Sequence, residues 1–84
     1  MSLQHATLGK LGNLLEAVRR EQVLAETSPG IFTHRGRTFL HFHEDRAGIS
    51  ADLKIAETWV RLAVNTKFEH QHLLKRVRDA LFKA

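Results

Sequence analysis

Residues 49–55 read Ile-Ser-Ala-Asp-Leu-Lys-Ile and carry the clearest structural signal in the chain. Apolar and polar side chains alternate at every position, which is the period of a β-strand with one buried face and one wet face. The polar segment 44–48, which ends in glycine, comes directly before this run. The stretch therefore predicts an antiparallel strand that the chain enters through a turn.

A hairpin is predicted on the N-terminal side of this strand. Residues 31–34 and 37–43 are rich in aromatic and β-branched side chains, and they flank the dipeptide Arg35-Gly36. Two such runs separated by two turn-forming residues indicate a tight β-hairpin. Three strands are thus predicted between residues 31 and 55.

The segment 59–64 follows the alternating strand and has two interpretations. As a fourth strand it would turn Val60, Leu62 and Val64 inward. A short helix is the alternative, because the preceding residues 56–57 tolerate helical backbone. We favour the strand.

Helices are predicted on both sides of the strand region. Apolar residues recur at three- and four-residue spacing over residues 3–26, which predicts a helix that ends at the Thr-Ser-Pro-Gly turn of residues 27–30. The second helix runs to the end of the chain. Thr66 and Glu69 match a capping box, in which each side chain accepts a hydrogen bond from a backbone N–H of the other residue.

Together these elements predict one α+β domain over residues 1–84. It has two layers, with an antiparallel sheet of three to four strands flanked by an N-terminal and a C-terminal helix. If both helices cover one face of the sheet, its other face must be exposed to solvent or covered by a partner.

Composition narrows the classes of function. The chain has 84 residues, no Cys and a formal charge of +4. It has no thiol for a disulfide or a thiolate metal site, no apolar run near the roughly 20 residues that cross a bilayer, and a start unlike a secretory signal. We therefore expect a cytoplasmic protein with no membrane contact and no cofactor. So small a domain has one core and little room for an enclosed active site, which favours a binding module over an enzyme.

Basic residues are concentrated toward the end of the chain. Residues 67–83 hold five basic and two acidic residues, and the predicted hairpin tip adds two arginines. A basic helix beside a basic hairpin is suited to nucleic-acid phosphates. The residues predicted to bind them are Arg35, Arg37, Lys75, Arg76 and Arg78. The alternatives are an ordinary solvated helix face and a polar surface that contacts another protein.

Two histidines form a second candidate site. His41 and His43 lie two residues apart on a predicted strand and so point to the same face, together with Phe39. Two imidazoles at this spacing can supply two ligands to a divalent metal or form a small-ligand site. The candidates for a third ligand are Glu44, Asp45, Asp52 and His34. The alternatives are a polar sheet face on which the imidazoles pair with neighbouring carboxylates, and a catalytic or proton-handling role.

The aromatic residues raise a third hypothesis, a homodimer. Trp59 fits a core or half-core position, but a Trp can also anchor an interface between subunits. Phe32, Phe39 and Phe68 are similar candidates for exposed anchors, since only two helices are predicted to cover the sheet. An uncovered sheet face or edge strand in so short a chain favours self-association.

Several segments resemble small uncharacterised bacterial α+β proteins. They are residues 29–31, 35–45, 48–55 and 59–62, with residues 74–81 of the last helix. The stretch is similar to the MmcQ/YjbR-like family, whose fold has been likened to a double-wing DNA-binding module, and to the "luciferase domain" family of unknown function. The resemblance implies an α+β fold and, by analogy of fold, DNA binding; it implies no catalytic residue. This chain departs from both families at one point. Only residues 56–58 join the third strand to Trp59, whereas both families carry a longer insertion there.

Overall fold

A computed structural model describes residue 3 and residues 5–83 of the chain. These residues form three helices and five strands. The elements are α1 (His5–Lys10), α2 (Gly12–Arg19), β1 (Leu24–Ser28), β2 (Ile31–His34), β3 (Arg37–Asp45), β4 (Gly48–Ile55), β5 (Thr58–Ala63) and α3 (Lys67–Lys83). Met1, Ser2 and Gln4, on which the expectation about a secretory signal rests in part, lie outside the described residues.

The five strands form one antiparallel sheet in the order β1-β2-β3-β4-β5. The α+β class is confirmed, and residues 58–63 form a strand rather than a short helix. The prediction of three to four strands is wrong, because β1 adds a strand at the edge where the first helix was expected to end. Leu24 of β1 lies opposite His34 of β2.

The first helix is shorter than predicted and is interrupted. It breaks at Leu11, between α1 and α2, and it ends at Arg19. The next position on its apolar stripe is the polar Gln22, so the apolar pattern weakens beyond Val18. Pairing with β2 satisfies the backbone of residues 24–28 instead, which explains the additional strand.

The helices pack on one face of the sheet, and the core lies between the two layers. Its buried side chains are Leu3, Leu11, Leu14, Leu15, Val18, Phe32, Phe39, Leu40, Phe42, Ile49, Ala51, Leu53, Val64, Leu73 and Val77. The rings of Phe32 and Phe42 meet edge to face, with centroids 6.3 Å apart. Phe32 and Phe39 are therefore core residues and not exposed anchors.

An irregularity in the β2–β3 ladder changes the face of one residue. Phe32 pairs with Leu40 and Thr33 pairs with Thr38, so residue 39 has no opposite partner and forms a β-bulge. Phe39 and Leu40 are both buried as a result. The prediction that Phe39 shares a face with His41 is therefore wrong, because the bulge resets the alternation.

The start of α3 is fixed at one end of the sheet. The capping box is confirmed: Thr66 Oγ1 accepts the Glu69 N–H at 3.2 Å, and Glu69 Oε1 accepts the Thr66 N–H at 3.0 Å. Asn65 Oδ1 accepts the Ile49 N–H at 2.8 Å. Gly48 has a φ of +125°, and a Cβ there would lie 2.5 Å from Asn65 Oδ1, so this close approach requires glycine.

The other face of the sheet carries no helix in the described part of the chain. Its side chains are mostly polar, and they include His41, His43, Asp52 and Arg61. Trp59 also lies on this face, and with 47% of its surface exposed it is half-buried rather than a core residue. Among the described helices, none has the length and apolar character needed to cross a bilayer.

Candidate nucleic-acid interface

Two hairpin tips meet at one end of the sheet. In an antiparallel meander alternate turns lie at the same end, which places the β2–β3 turn beside the β4–β5 turn. The central residues of the first turn are Arg35 and Gly36, with φ of 55° and 80°. Those of the second are Ala56 and Glu57, with φ of 49° and 69°. Positive φ at both central positions is the geometry of a type I′ turn, which matches the twist of the strands.

A groove of about 550 Å³ lies between these tips and the C-terminal half of α3. Its lining includes the apolar side chains of Phe39, Ile55 and Ala80. Four cationic and two acidic side chains line it, so its charge is positive. They are Arg35, Arg37, Lys54 and Arg76, and Glu57 and Asp79.

Three of the five arginine and lysine residues predicted from the sequence line this groove. Arg35 and Arg37 come from the β2–β3 hairpin, and Arg76 comes from α3. Arg78 does not line it, and its Nε lies 3.6 Å from Glu21 Oε1. Lys75 is exposed and also lies outside the groove lining.

The groove arginines are available to an external anion. Among residues 3 and 5–83, the arginines that form ion pairs are Arg19, Arg61 and Arg78, and no ion pair involves Arg35, Arg37 or Arg76. Lys54 is partly neutralised, because its Nζ lies 3.6 Å from Glu57 Oε2. The positive charge of the groove therefore comes mainly from its three arginines.

Backbone strain is concentrated around the same groove. In the described part of the chain, the non-glycine residues with positive φ are Arg35, Ala56 and Glu57, and all three line the groove. A side chain in this region costs roughly 1 kcal/mol or more, and such strain tends to cluster at functional sites. Here the positive angles are the ones that the two type I′ turns require.

The residues predicted from the sequence to bind nucleic acid did not include Lys54. Trp59 was not connected with the basic residues and was instead considered for the core or for a dimer interface. Both have a signal in the alternation: Lys54 is an outward position of the 49–55 run, and Trp59 alternates with the inward residue Val60. Trp59 is paired with Lys54 across β4 and β5. Lys54 Nζ lies 5.8 Å from the centre of the Trp59 ring, which places a cation beside an exposed aromatic surface.

The histidine pair lies on the open face, as predicted. The ring centroids of His41 and His43 are 5.8 Å apart. His43 Nε2 is 3.2 Å from Ser50 Oγ and 3.4 Å from Asp52 Oδ2. Asp52 in turn accepts two hydrogen bonds from Arg61, at 2.9 and 3.2 Å.

The candidates for a third metal ligand are mostly engaged elsewhere. Glu44 accepts a hydrogen bond from the Thr7 hydroxyl, and Asp45 accepts one from the Ala47 N–H. His34 lines the groove, which leaves Asp52 beside the pair. Over residues 3 and 5–83, no group of three or more side chains of the kinds that bind metals is found. The metal site stays a prediction that rests on two imidazoles.

Ser50, His43 and Asp52 bring together the residue types of a hydrolytic triad. In such a triad the serine and the carboxylate face opposite nitrogens of the imidazole, so that one orients the ring while the other gives up its proton. Here both oxygens lie near the same atom, His43 Nε2. The arrangement is that of a polar cluster on the surface of a sheet.

The pKa values on this face follow from the same contacts. Burial, together with the nearby charge of His43, lowers the pKa of His41 below its ordinary value of 6.5. The hydrogen bonds from Arg61 lower the pKa of Asp52 below 3.8. At neutral pH the cluster thus holds an ionised Asp52–Arg61 pair beside an uncharged His41.

Comparison of the chain with protein-family models, with curated proteins and with solved structures finds no match. The resemblance to the MmcQ/YjbR-like and "luciferase domain" families stays a hypothesis that rests on the segments quoted above.

Proposed function

We propose that this domain is a nucleic-acid-binding module that holds phosphates in the groove at the hairpin end of the sheet. The observation that carries the proposal is that Arg35, Arg37 and Arg76 come from two separate parts of the chain and line one groove. Arginine binds phosphate through a planar fork of N–H donors, so three of them around one groove suit a phosphate backbone.

The groove arginines form no ion pair with a carboxylate of the described residues, which supports the proposal further. In the described structure Arg19, Arg61 and Arg78 each lie within 4 Å of a carboxylate oxygen, whereas the groove arginines do not. An arginine that is already paired must lose that partner before it binds a phosphate. The groove arginines carry no such cost, and each is expected to release a counterion from the nucleic acid on binding.

The test is a fluorescence anisotropy titration of a labelled oligonucleotide at several salt concentrations. We expect binding at about 50 mM salt that weakens steeply toward about 200 mM, because each phosphate contact adds roughly 0.7–0.9 to the slope of log K against log salt. The Arg76→Gln variant should bind more weakly at every salt concentration and lower the magnitude of this slope by about 1.

Arg78→Gln is the matched control, since it removes the same charge from the same helix at a position outside the groove. It should leave both the affinity and the slope near those of the parent. Equal effects of the two variants would show that binding follows overall charge and not the groove. Absence of binding at low salt would overturn the proposed function.

A further inference from the structure

The groove opens beside an exposed aromatic ring on the uncovered face of the sheet. Lys54 lines the groove and also contacts the Trp59 ring. Thr38 lines the groove and, in addition, a shallow depression of about 220 Å³ whose other residues are His41, Asp52 and Trp59. Lys54 and Thr38 thus connect the cationic groove to the Trp59 ring.

This connection determines which form of nucleic acid fits. A phosphate backbone held in the groove would run past Lys54 and place the next base near Trp59. In a duplex both faces of each base are covered by neighbouring base pairs, whereas an unpaired base can stack on an aromatic side chain. The combination of a cationic groove and an aromatic platform is how proteins hold single strands.

We propose that Trp59 is the stacking platform for an unpaired base of a single-stranded nucleic acid whose phosphates occupy the arginine groove. The inference rests on the proposed function, because it assigns the same groove a particular partner. Lys54 contributes to both parts, as a cation that lies between the groove and the ring.

The chain has one Trp, so its intrinsic fluorescence reports on this position alone. The experiment titrates the protein with a single-stranded oligothymidylate of about 10 nucleotides, within the usual site sizes. A G·C-rich duplex long enough to stay fully paired under the same conditions, and an abasic strand of the same length as the oligothymidylate, are titrated in parallel. We expect the single strand to quench Trp59 fluorescence, and the duplex and the abasic strand to leave it unchanged.

Variants separate stacking from charge. Trp59→Ala should weaken binding of the single strand between about 5- and 150-fold, and Trp59→Phe should retain most of the affinity. The salt slope should stay the same in both, since no phosphate contact is lost. Phe82→Ala is the matched control: its ring is 88% exposed on α3 and lies outside the groove lining, so its loss should leave binding unchanged.

The outcomes distinguish this inference from the proposed function. If the labelled strand binds but Trp59 fluorescence stays constant and Trp59→Ala binds as the parent does, the stacking platform is overturned and the groove stands. If no strand binds at low salt, both fail. If Trp59 fluorescence shifts with protein concentration in the absence of oligonucleotide, the ring lies in an interface between two copies, and the inference is overturned.

Discussion

The two faces of the sheet differ in chemistry even where they are one residue apart. Phe42 is 1% exposed and packs edge to face against Phe32 beneath the helices. His41, its neighbour in β3, lies on the open face beside a network of ion pairs and hydrogen bonds. Stability therefore resides mainly on the covered face, while the groups available to a partner lie on the open face and at the hairpin end. Substitutions on the two faces should have separable effects.

The largest effect is expected from the core. Phe42→Ala should lower the free energy of unfolding by about 3–5 kcal/mol, because it removes a buried ring and leaves a cavity. For a domain of this size that is a large fraction of the available stability. His41→Ala, one residue away, should cost far less. Urea unfolding followed by far-UV circular dichroism measures both, and similar losses for the two variants would show that the open face is packed as tightly as the core.

A gain in stability is expected at the hairpin end. Glu57 has a φ of 69° at the second central position of the β4–β5 turn, where glycine is favoured. Glu57→Gly should raise the free energy of unfolding by about 0.5–1 kcal/mol, since it relieves the strain of a left-handed side chain. Glu57→Gln removes the charge but keeps the Cβ, so it should show no such gain. A loss of stability in the glycine variant would mean that the turn is not strained.

A smaller effect is expected from pH on the open face. The folded protein lowers the pKa of His41 mainly through burial, so the unfolded chain takes up a proton more readily than the folded one. Stability should be full above the unfolded pKa of 6.5 and decline as the pH falls through the lower folded value. Free energies of unfolding measured between about pH 8 and about pH 5 should show this decline.

The His41→Asn variant should reduce that dependence on pH, whereas His72→Asn, on the exposed side of α3, should follow the parent. If the free energy of unfolding falls equally with pH in the parent and in both variants, the pH dependence does not come from His41.

The smallest effect is expected from added metal. His41 and His43 have one carboxylate beside them, and both oxygens of Asp52 already accept hydrogen bonds from Arg61. We expect Zn²⁺ in slight excess to change the melting temperature by less than about 1 °C, since a ligand stabilises only through binding to the folded state. A larger shift that disappears in both His41→Ala and His43→Ala would establish the metal site after all.

Local sequence signals predicted the parts of the fold that local physics determines. Alternation predicted the strand at 49–55, the Arg35-Gly36 dipeptide predicted a hairpin, and the capping box predicted the start of α3. The edge strand β1 could not be found in this way, because its residues are mostly exposed and carry no alternating pattern. The bulge at Phe39 was likewise hidden, because it depends on the register of the neighbouring strand.

The candidate site was only partly predictable for the same reason. The arginines could be selected by charge, but which of them meet depends on the direction in which α3 crosses the sheet. Arg76 and Arg78 are equivalent in composition, and tertiary packing places Arg76 at the groove and Arg78 beside Glu21. The exposure of Trp59 followed from the alternation around Val60, but the general preference of Trp for cores pointed the other way.

The meander has a consequence for how the domain forms during synthesis. Every strand pairs with its neighbour in the chain, so each hairpin can assemble soon after its second strand has emerged from the ribosome. The groove is different, because its third wall is the segment of α3 around residues 76–80. Translation must therefore pass this segment before Arg76 can join Arg35 and Arg37 in one groove. A nascent chain that lacks the segment would present the two hairpin tips without the helical wall that faces them.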